Sequence, residues 1–177
     1  MSSSNQPGGP NASKRARTVQ DGVLHHVSPS QLKHYTQCPR AWYFDKVCQI
    51  ESPRAAYRKY GNQVHSQVER YLKTGALPEG VGQEVSSALA LLPEPGGAFL
   101  LEHPLDPPME VAGVPMIGFL DLAYVRDFTI FVDDLKTTKN YSYALKPSQL
   151  AEDLQLNIYA YWLGMKQWPL LDNVSLS

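Results

Sequence analysis

Apolar and polar positions along the chain follow two periods, and each change of period marks an element. Residues 116–125 and 128–137 are two apolar runs around the polar pair Arg126-Asp127. Both are rich in β-branched and aromatic residues, which predicts a β-hairpin with Arg126-Asp127 as its turn. Elsewhere the spacing is helical. Val64, Val68, Tyr71 and Leu72 predict a helix over about 55–73, ended by Gly75, Pro78 and Gly80. Leu150, Leu154, Ile158 and Trp162, with Leu156, Tyr159 and Leu163 beside them, predict one over about 147–166. A helix that apolar must be covered on more than one side, by the sheet among others. Near the start, Ser28 is placed to N-cap a helix, Pro29 suits its first position and Gln31 completes a capping box. Pro39 restarts a second helix, whose Trp42-Tyr43-Phe44 cluster reads as core. A short helix over 81–92, a strand over 98–102, a proline-rich loop and a final strand opening near Asp172 complete the pattern. Residues 1–24, rich in Ser, Asn, Gly and Pro, read as a disordered tail, and residues 25–177 as one domain. The tail's basic patch, Lys14 to Arg17, reads as solvated.

Three charges break the hairpin's apolar pattern: Asp121, Asp134 and Lys136. Buried charges are expensive unless something pairs with them. Side chains alternate along a strand, so Asp134 and Lys136 share a face and Leu135 takes the other. With a two-residue turn at Arg126-Asp127, Val125 pairs with Phe128 and Asp121 lies opposite Val132. Asp121 and Asp134 are then diagonal neighbours, roughly 7–8 Å apart. Any even loop keeps that parity, whereas an odd loop or a bulge brings Asp133 to the site instead. Two carboxylates and a lysine on one face suit metal-assisted phosphodiester hydrolysis, and oxygen ligands favour Mg²⁺ or Mn²⁺ over zinc. An ordinary structural ion pair would carry the same residues.

Other polar groups stand out against their surroundings. His65 and Glu69 lie one turn apart on the same side of the 55–73 helix. Taken alone, His65 is more often a structural histidine than a ligand. Glu102 either faces the metal or ends a strand. Arg40 is the residue near the aromatic cluster that a core does not explain, and Gln155 and Tyr159 stand one turn apart on the apolar helix. A net charge of −1 gives no global support for nucleic-acid binding, so any phosphate contact has to rest on local cations and bound metal. Two cysteines, Cys38 and Cys48, are too few for a disulfide framework. No apolar run has the length of a membrane span and no signal-peptide pattern opens the chain, which points to a cytoplasmic protein without a membrane partner.

Read together, several short motifs resemble the RecB-like branch of the PD-(D/E)xK nuclease superfamily, over most of the chain from Ser28 to Leu163. They are the stretch from Ser28 to Arg40, Gly61-Asn62-Gln63-Val64-His65 as G-x-x-x-H, Gly118-Phe119-Leu120-Asp121 as G-x-x-D, Asp134-Leu135-Lys136 as D-x-K, and Gln155-Leu156-Asn157-Ile158-Tyr159 as Q-h-x-x-Y. The resemblance implies an α/β fold with a restriction-endonuclease-like core, a mixed central sheet whose catalytic antiparallel hairpin is flanked by helices. It implies His65, Asp121, Asp134 and the Leu135 carbonyl as metal ligands, Lys136 as the catalytic lysine, and a Gln155–Tyr159 helix bordering a DNA groove, with Arg40 as a further DNA-binding or accessory residue. The expected activity is Mg²⁺- or Mn²⁺-dependent exonuclease cleavage of DNA in repair, recombination or phage DNA processing, beside a helicase or another recombination protein. The competing expectation is a nuclease-fold module that binds DNA or a protein and no longer cuts. Some relatives hold an iron–sulfur cluster on four cysteines. Cys38 matches the first and the other three are missing, so no cluster is expected within this chain. The family usually continues for another strand or more, so a domain cut short at its C-terminus is expected.

Overall fold

The computed structural model describes residues 18–50, 55–76, 83–138, 142, 144–166 and 173–176. The basic patch at 14–17 lies outside them. A short hairpin, β1 (Val19–Gln20) and β2 (Val23–Leu24), precedes two helices, α1 (Pro29–Gln37) and α2 (Pro39–Lys46). The long helix α3 (Ala55–Thr74) and the short α4 (Gln83–Leu89) follow. Next come β3 (Phe99–Pro104), a small hairpin of β4 (Met109–Val111) and β5 (Val114–Met116), and the central pair β6 (Phe119–Arg126) and β7 (Thr129–Asp133). Helices α5 (Pro147–Leu150) and α6 (Leu154–Met165) lead to β8 (Asn173–Leu176).

The main sheet runs β3-β6-β7-β8. β3 and β7 flank β6 antiparallel, and β8 joins β7 in parallel. Helices cover both faces. On one side α6 sets Leu156, Tyr159, Trp162 and Leu163 against Leu120, Ala123, Ile130 and Val132. On the other, Val68 and Leu72 of α3 meet Leu122 and Tyr124. This is the mixed, helix-flanked sheet of the restriction-endonuclease-like expectation. Helix α6 is covered by the sheet and also by α1, which accounts for its nearly all-round apolar surface.

Several expectations are corrected. Residues 19–24, read from composition as the end of a tail, form a hairpin: Asp21 and Gly22 have φ of 50° and 76°, and Asp-Gly with two positive φ values makes the tight turn that matches strand twist. Composition hid that signal. The aromatic cluster is not core. No residue of α2 is buried, and Tyr43 and Phe44 are exposed. The Gln31 side chain does not close a capping box. Ser28 accepts the Gln31 N–H, but the Gln31 amide reaches across to Thr18 Oγ1 at 2.9 Å. The 147–166 helix is two helices, because Asp153 takes the Gln155 and Leu156 N–H groups and starts α6 afresh.

The central hairpin turns one residue later than expected, which slides the pairing by two residues along the second strand. Arg126 pairs with Thr129 and Leu122 with Asp133, so the turn residues are Asp127 and Phe128, with φ of 51° and 60°. The loop is still even, but the ladder ends at the pair Leu122–Asp133. Asp133 lies beside Tyr124 on the α3 side, whereas Asp134 meets Gln155 of α6.

Candidate metal centre

Two glycines let three segments converge. Gly118 opens the approach between α1 and β6: a Cβ there would stand 3.1 Å from Pro29 Cδ. Gly61 does the same between α3 and the segment after β7, where a Cβ would stand 3.3 Å from Thr137 Oγ1. His65 sits one turn beyond Gly61, so close helix approach carries its ring to the sheet.

Strand alternation slips at the same place on β3 and β6. Leu101 and Leu122 face α3, whereas Leu120 packs on the α6 side and His103 lies 5.8 Å from the Trp162 ring. Between them stand Glu102 and Asp121, and Glu102 has φ of 45°. Both carboxylates thereby reach His65. Donor atoms of His65, Glu102 and Asp121 all lie within 4.8 Å of one another. His65 Nδ1 is 3.3 Å from Glu102 Oε1 and 3.8 Å from Asp121 Oδ1, while Nε2 is 2.8 Å from the Leu135 carbonyl oxygen. The Leu135 N–H donates to Asp121 Oδ2 at 2.8 Å.

Asp134 is held from two sides. Lys136 Nζ donates to its Oδ1 at 2.6 Å and Gln155 Nε2 donates to the same oxygen at 3.0 Å. Gln155 also donates to the Tyr159 hydroxyl at 3.1 Å, and that hydroxyl donates to the Phe119 carbonyl at 2.8 Å. Burial, then the Asp134 charge, push Asp121 up to about 6, against the pull of His65, Lys136 and the Leu135 N–H. The Glu102 hydrogen bond raises His65 against its burial, helped by Asp121 and the Leu135 carbonyl. Burial raises the Tyr159 phenol as well, so it stays a donor.

A model of the PD-(D/E)XK nuclease superfamily matches residues 26–96. The match supports a nuclease. It spans α1 to α4 and includes His65, but ends before Glu102, Asp121 and Asp134, so the match says nothing of the carboxylates. No curated protein and no solved structure matches the chain. PD-(D/E)XK nucleases use divalent metals, and the donor set fits one. Carboxylate oxygens, one imidazole and a backbone carbonyl, without a thiolate, are the hard-to-borderline ligand types that Mg²⁺ or Mn²⁺ takes.

Of the residues singled out by sequence, the structure brings together His65, Asp121, Asp134, Leu135, Lys136 and Glu102. Glu69 stands apart from them, paired with Lys73 at 2.5 Å. The Arg40 guanidinium lies 5.6 Å over the Phe44 ring on exposed α2. Gln155 and Tyr159 are buried, and Gln155 holds Asp134 from the α6 side. Lys33 and Asp153 escaped the sequence reading. Their ion pair ties α1 to the first turn of α6, the turn that carries Gln155. They lie 120 residues apart, and no local spacing marks that contact. Among the described residues no helix is long and apolar enough to cross a membrane.

Proposed function

We propose that this protein is a divalent-metal-dependent DNA nuclease of the RecB-like exonuclease type. The observation that carries the reading is the convergence of His65, Glu102 and Asp121 beside the Asp134–Lys136 pair. In this reading Asp121, Asp134, His65 and the Leu135 carbonyl hold the cation. A bound divalent cation supplies an acidified water and polarises the phosphoryl oxygens. Lys136 does the rest of the electrostatic work. Its side chain is 61% exposed and rests on Asp134 at the open edge of the site, so its ammonium can meet charge that develops on a phosphate. Gln155 and Tyr159 act as accessory residues, fixing the Asp134 carboxylate through a buried hydrogen-bond chain. DNA repair, recombination or phage DNA processing, beside a helicase or another recombination protein, are the settings that suit such an enzyme.

The competing reading, a module that binds without cutting, differs in one observable. Purified protein is incubated with end-labelled single- and double-stranded DNA, with chelator, Mg²⁺ or Mn²⁺. The nuclease reading expects metal-dependent products that shorten from a free end and vanish in Asp121→Ala and Asp134→Ala. Folded protein that binds Mn²⁺ and DNA yet leaves both substrates intact would establish the binding module instead.

A further inference from the structure

A neutral imidazole carries one N–H, yet both nitrogens of His65 face oxygens. Nδ1 points at Glu102 Oε1, with Asp121 Oδ1 behind it, and Nε2 at the Leu135 carbonyl. Whichever tautomer forms, one lone pair looks at an acceptor. That opposition is relieved either by a second ring proton, which makes both nitrogens donors, or by a cation on one side. The nearer carboxylate on the Nδ1 side belongs to Glu102, the residue whose left-handed backbone turns it toward α3. Such a conformation is unfavourable in a non-glycine residue within a strand, and it persists where surrounding structure enforces it. Here its effect is to bring a carboxylate to the ring edge.

We infer that Glu102 is a positioning residue: it accepts the Nδ1 proton of His65 and so presents the Nε2 lone pair, beside the Leu135 carbonyl, to the divalent cation. The inference rests on the metal-centre reading given above. Glu102 acts through His65 and is not itself a ligand. A carboxylate behind a metal-bound histidine fixes tautomer and ring orientation and strengthens the nitrogen as a donor.

The test is a double-mutant cycle read by Mn²⁺ titration of the full chain, with free Mn²⁺ followed by electron paramagnetic resonance. Circular dichroism checks that each variant is folded, and the Glu102 side chain, 38% exposed, tolerates replacement. Glu102→Ala is expected to weaken Mn²⁺ by about 10–100-fold. Glu102→Gln should recover most of that, since its amide oxygen accepts the same proton. In a His65→Ala background, Glu102→Ala should change affinity by less than about twofold, because the residue it acts through is gone. Histidine-selective ¹⁵N spectra of the Mg²⁺ form should show His65 protonated at Nδ1, and Glu102→Ala should lose that signature. Losses that multiply in the double variant would make Glu102 an independent ligand and overturn the inference. So would unchanged affinity in Glu102→Ala alone, or a His65 without an Nδ1 proton. If His65→Ala and Asp121→Ala also leave Mn²⁺ affinity intact, the metal-centre reading falls with it, and the two failures are told apart.

Discussion

Asp153 makes the sharpest test of how the fold supports the site. Its carboxylate caps α6, accepting the Gln155 N–H at 3.0 Å and the Leu156 N–H at 3.1 Å, and it pairs with Lys33. Asp153→Ala removes both functions, and Asp153→Asn removes the charge alone, since Asn caps as well as Asp. Losing the cap costs about 1–2 kcal/mol. The Asp153 side chain is 4% exposed, but Lys33 is 26% exposed and keeps part of its hydration. Losing the pair therefore costs about 1 kcal/mol, well below the roughly 3–5 kcal/mol of a fully buried pair. Asp153→Ala should lose about 2–3 kcal/mol in urea denaturation, or about 6–9 °C in Tm for a domain of this size, and Asp153→Asn about 1 kcal/mol. Since the first turn of α6 carries Gln155, Asp153→Ala should also loosen Asp134 and weaken Mn²⁺ binding more than Asp153→Asn does.

The same pair has a pH signature. Burial pushes the Asp153 carboxyl up, but the Lys33 hydrogen bond and the two backbone N–H groups outweigh it and hold the group below its ordinary 3.8. A depressed folded value means stability that is fully present above 3.8 and lost as the pH falls through the folded value. The stability gap between wild type and Asp153→Asn should thus be constant near neutrality and narrow in acid. Equal stabilities for the Ala and Asn variants, or a gap that does not narrow in acid, would refute the assignment of cap and pair.

Lys136→Ala should stay folded, with Mn²⁺ affinity close to wild type, and lose about 10²–10³-fold in cleavage rate at saturating Mg²⁺; a near wild-type rate would reduce Lys136 to a counter-charge for Asp134. Gly164→Ala should stabilise α6 by about 0.5–1 kcal/mol, because nothing lies within 4 Å of a Cβ there. Gly61→Ala should bring no such gain, because its Cβ meets Thr137 Oγ1 at 3.3 Å and pushes α3 off the segment after β7; an equal gain in chemical denaturation would contradict that packing. Phe128 is 83% exposed with φ of 60°, so Phe128→Gly should raise stability by roughly 1 kcal/mol through relief of the left-handed strain, and no gain would argue against the observed turn.

What the sequence revealed and what it concealed divide along the range of the interaction. Period 2 and period 3.6 are local; they located β6, β7 and α3 to within a few residues and the C-terminal end of α6, but not the break before Leu154. The parity argument needed regular alternation as well as an even loop, and alternation slips at Asp121; Asp134 comes near Asp121 just past the end of β7, beyond the ladder. The turn itself was hidden because Phe128 is an unusual occupant of a left-handed position, and Arg126-Asp127 looked more turn-like. Arg126 is instead the last strand residue, its guanidinium 4.5 Å over the Phe131 ring. The aromatic run of α2 misled because apolar composition says nothing about which side is covered. Glu102 remained open because its orientation depends on a slip in alternation that no pattern along one strand encodes.

The motif residues divide into those that offer chemistry and those that bring it together. Gly61 and Gly118 offer none, yet each occupies a point where a side chain would hold two segments apart. The first brings the His65 helix against the segment after β7, and the second brings α1 against the start of β6. From α1, Lys33 reaches Asp153, and from the turn that Asp153 caps, Gln155 reaches Asp134. A continuous chain of contacts therefore runs from the Ser28-capped helix to the carboxylate beside Lys136. This explains why motifs scattered over more than a hundred residues act as one signal. Each short motif is weak because it specifies one contact, and the site exists only when all the contacts close on the same few ångströms. It follows that damage to α1 should be felt at Asp134 before it is felt at His65, whose approach depends on Gly61 and on the slip that turns Glu102 and Asp121 toward α3.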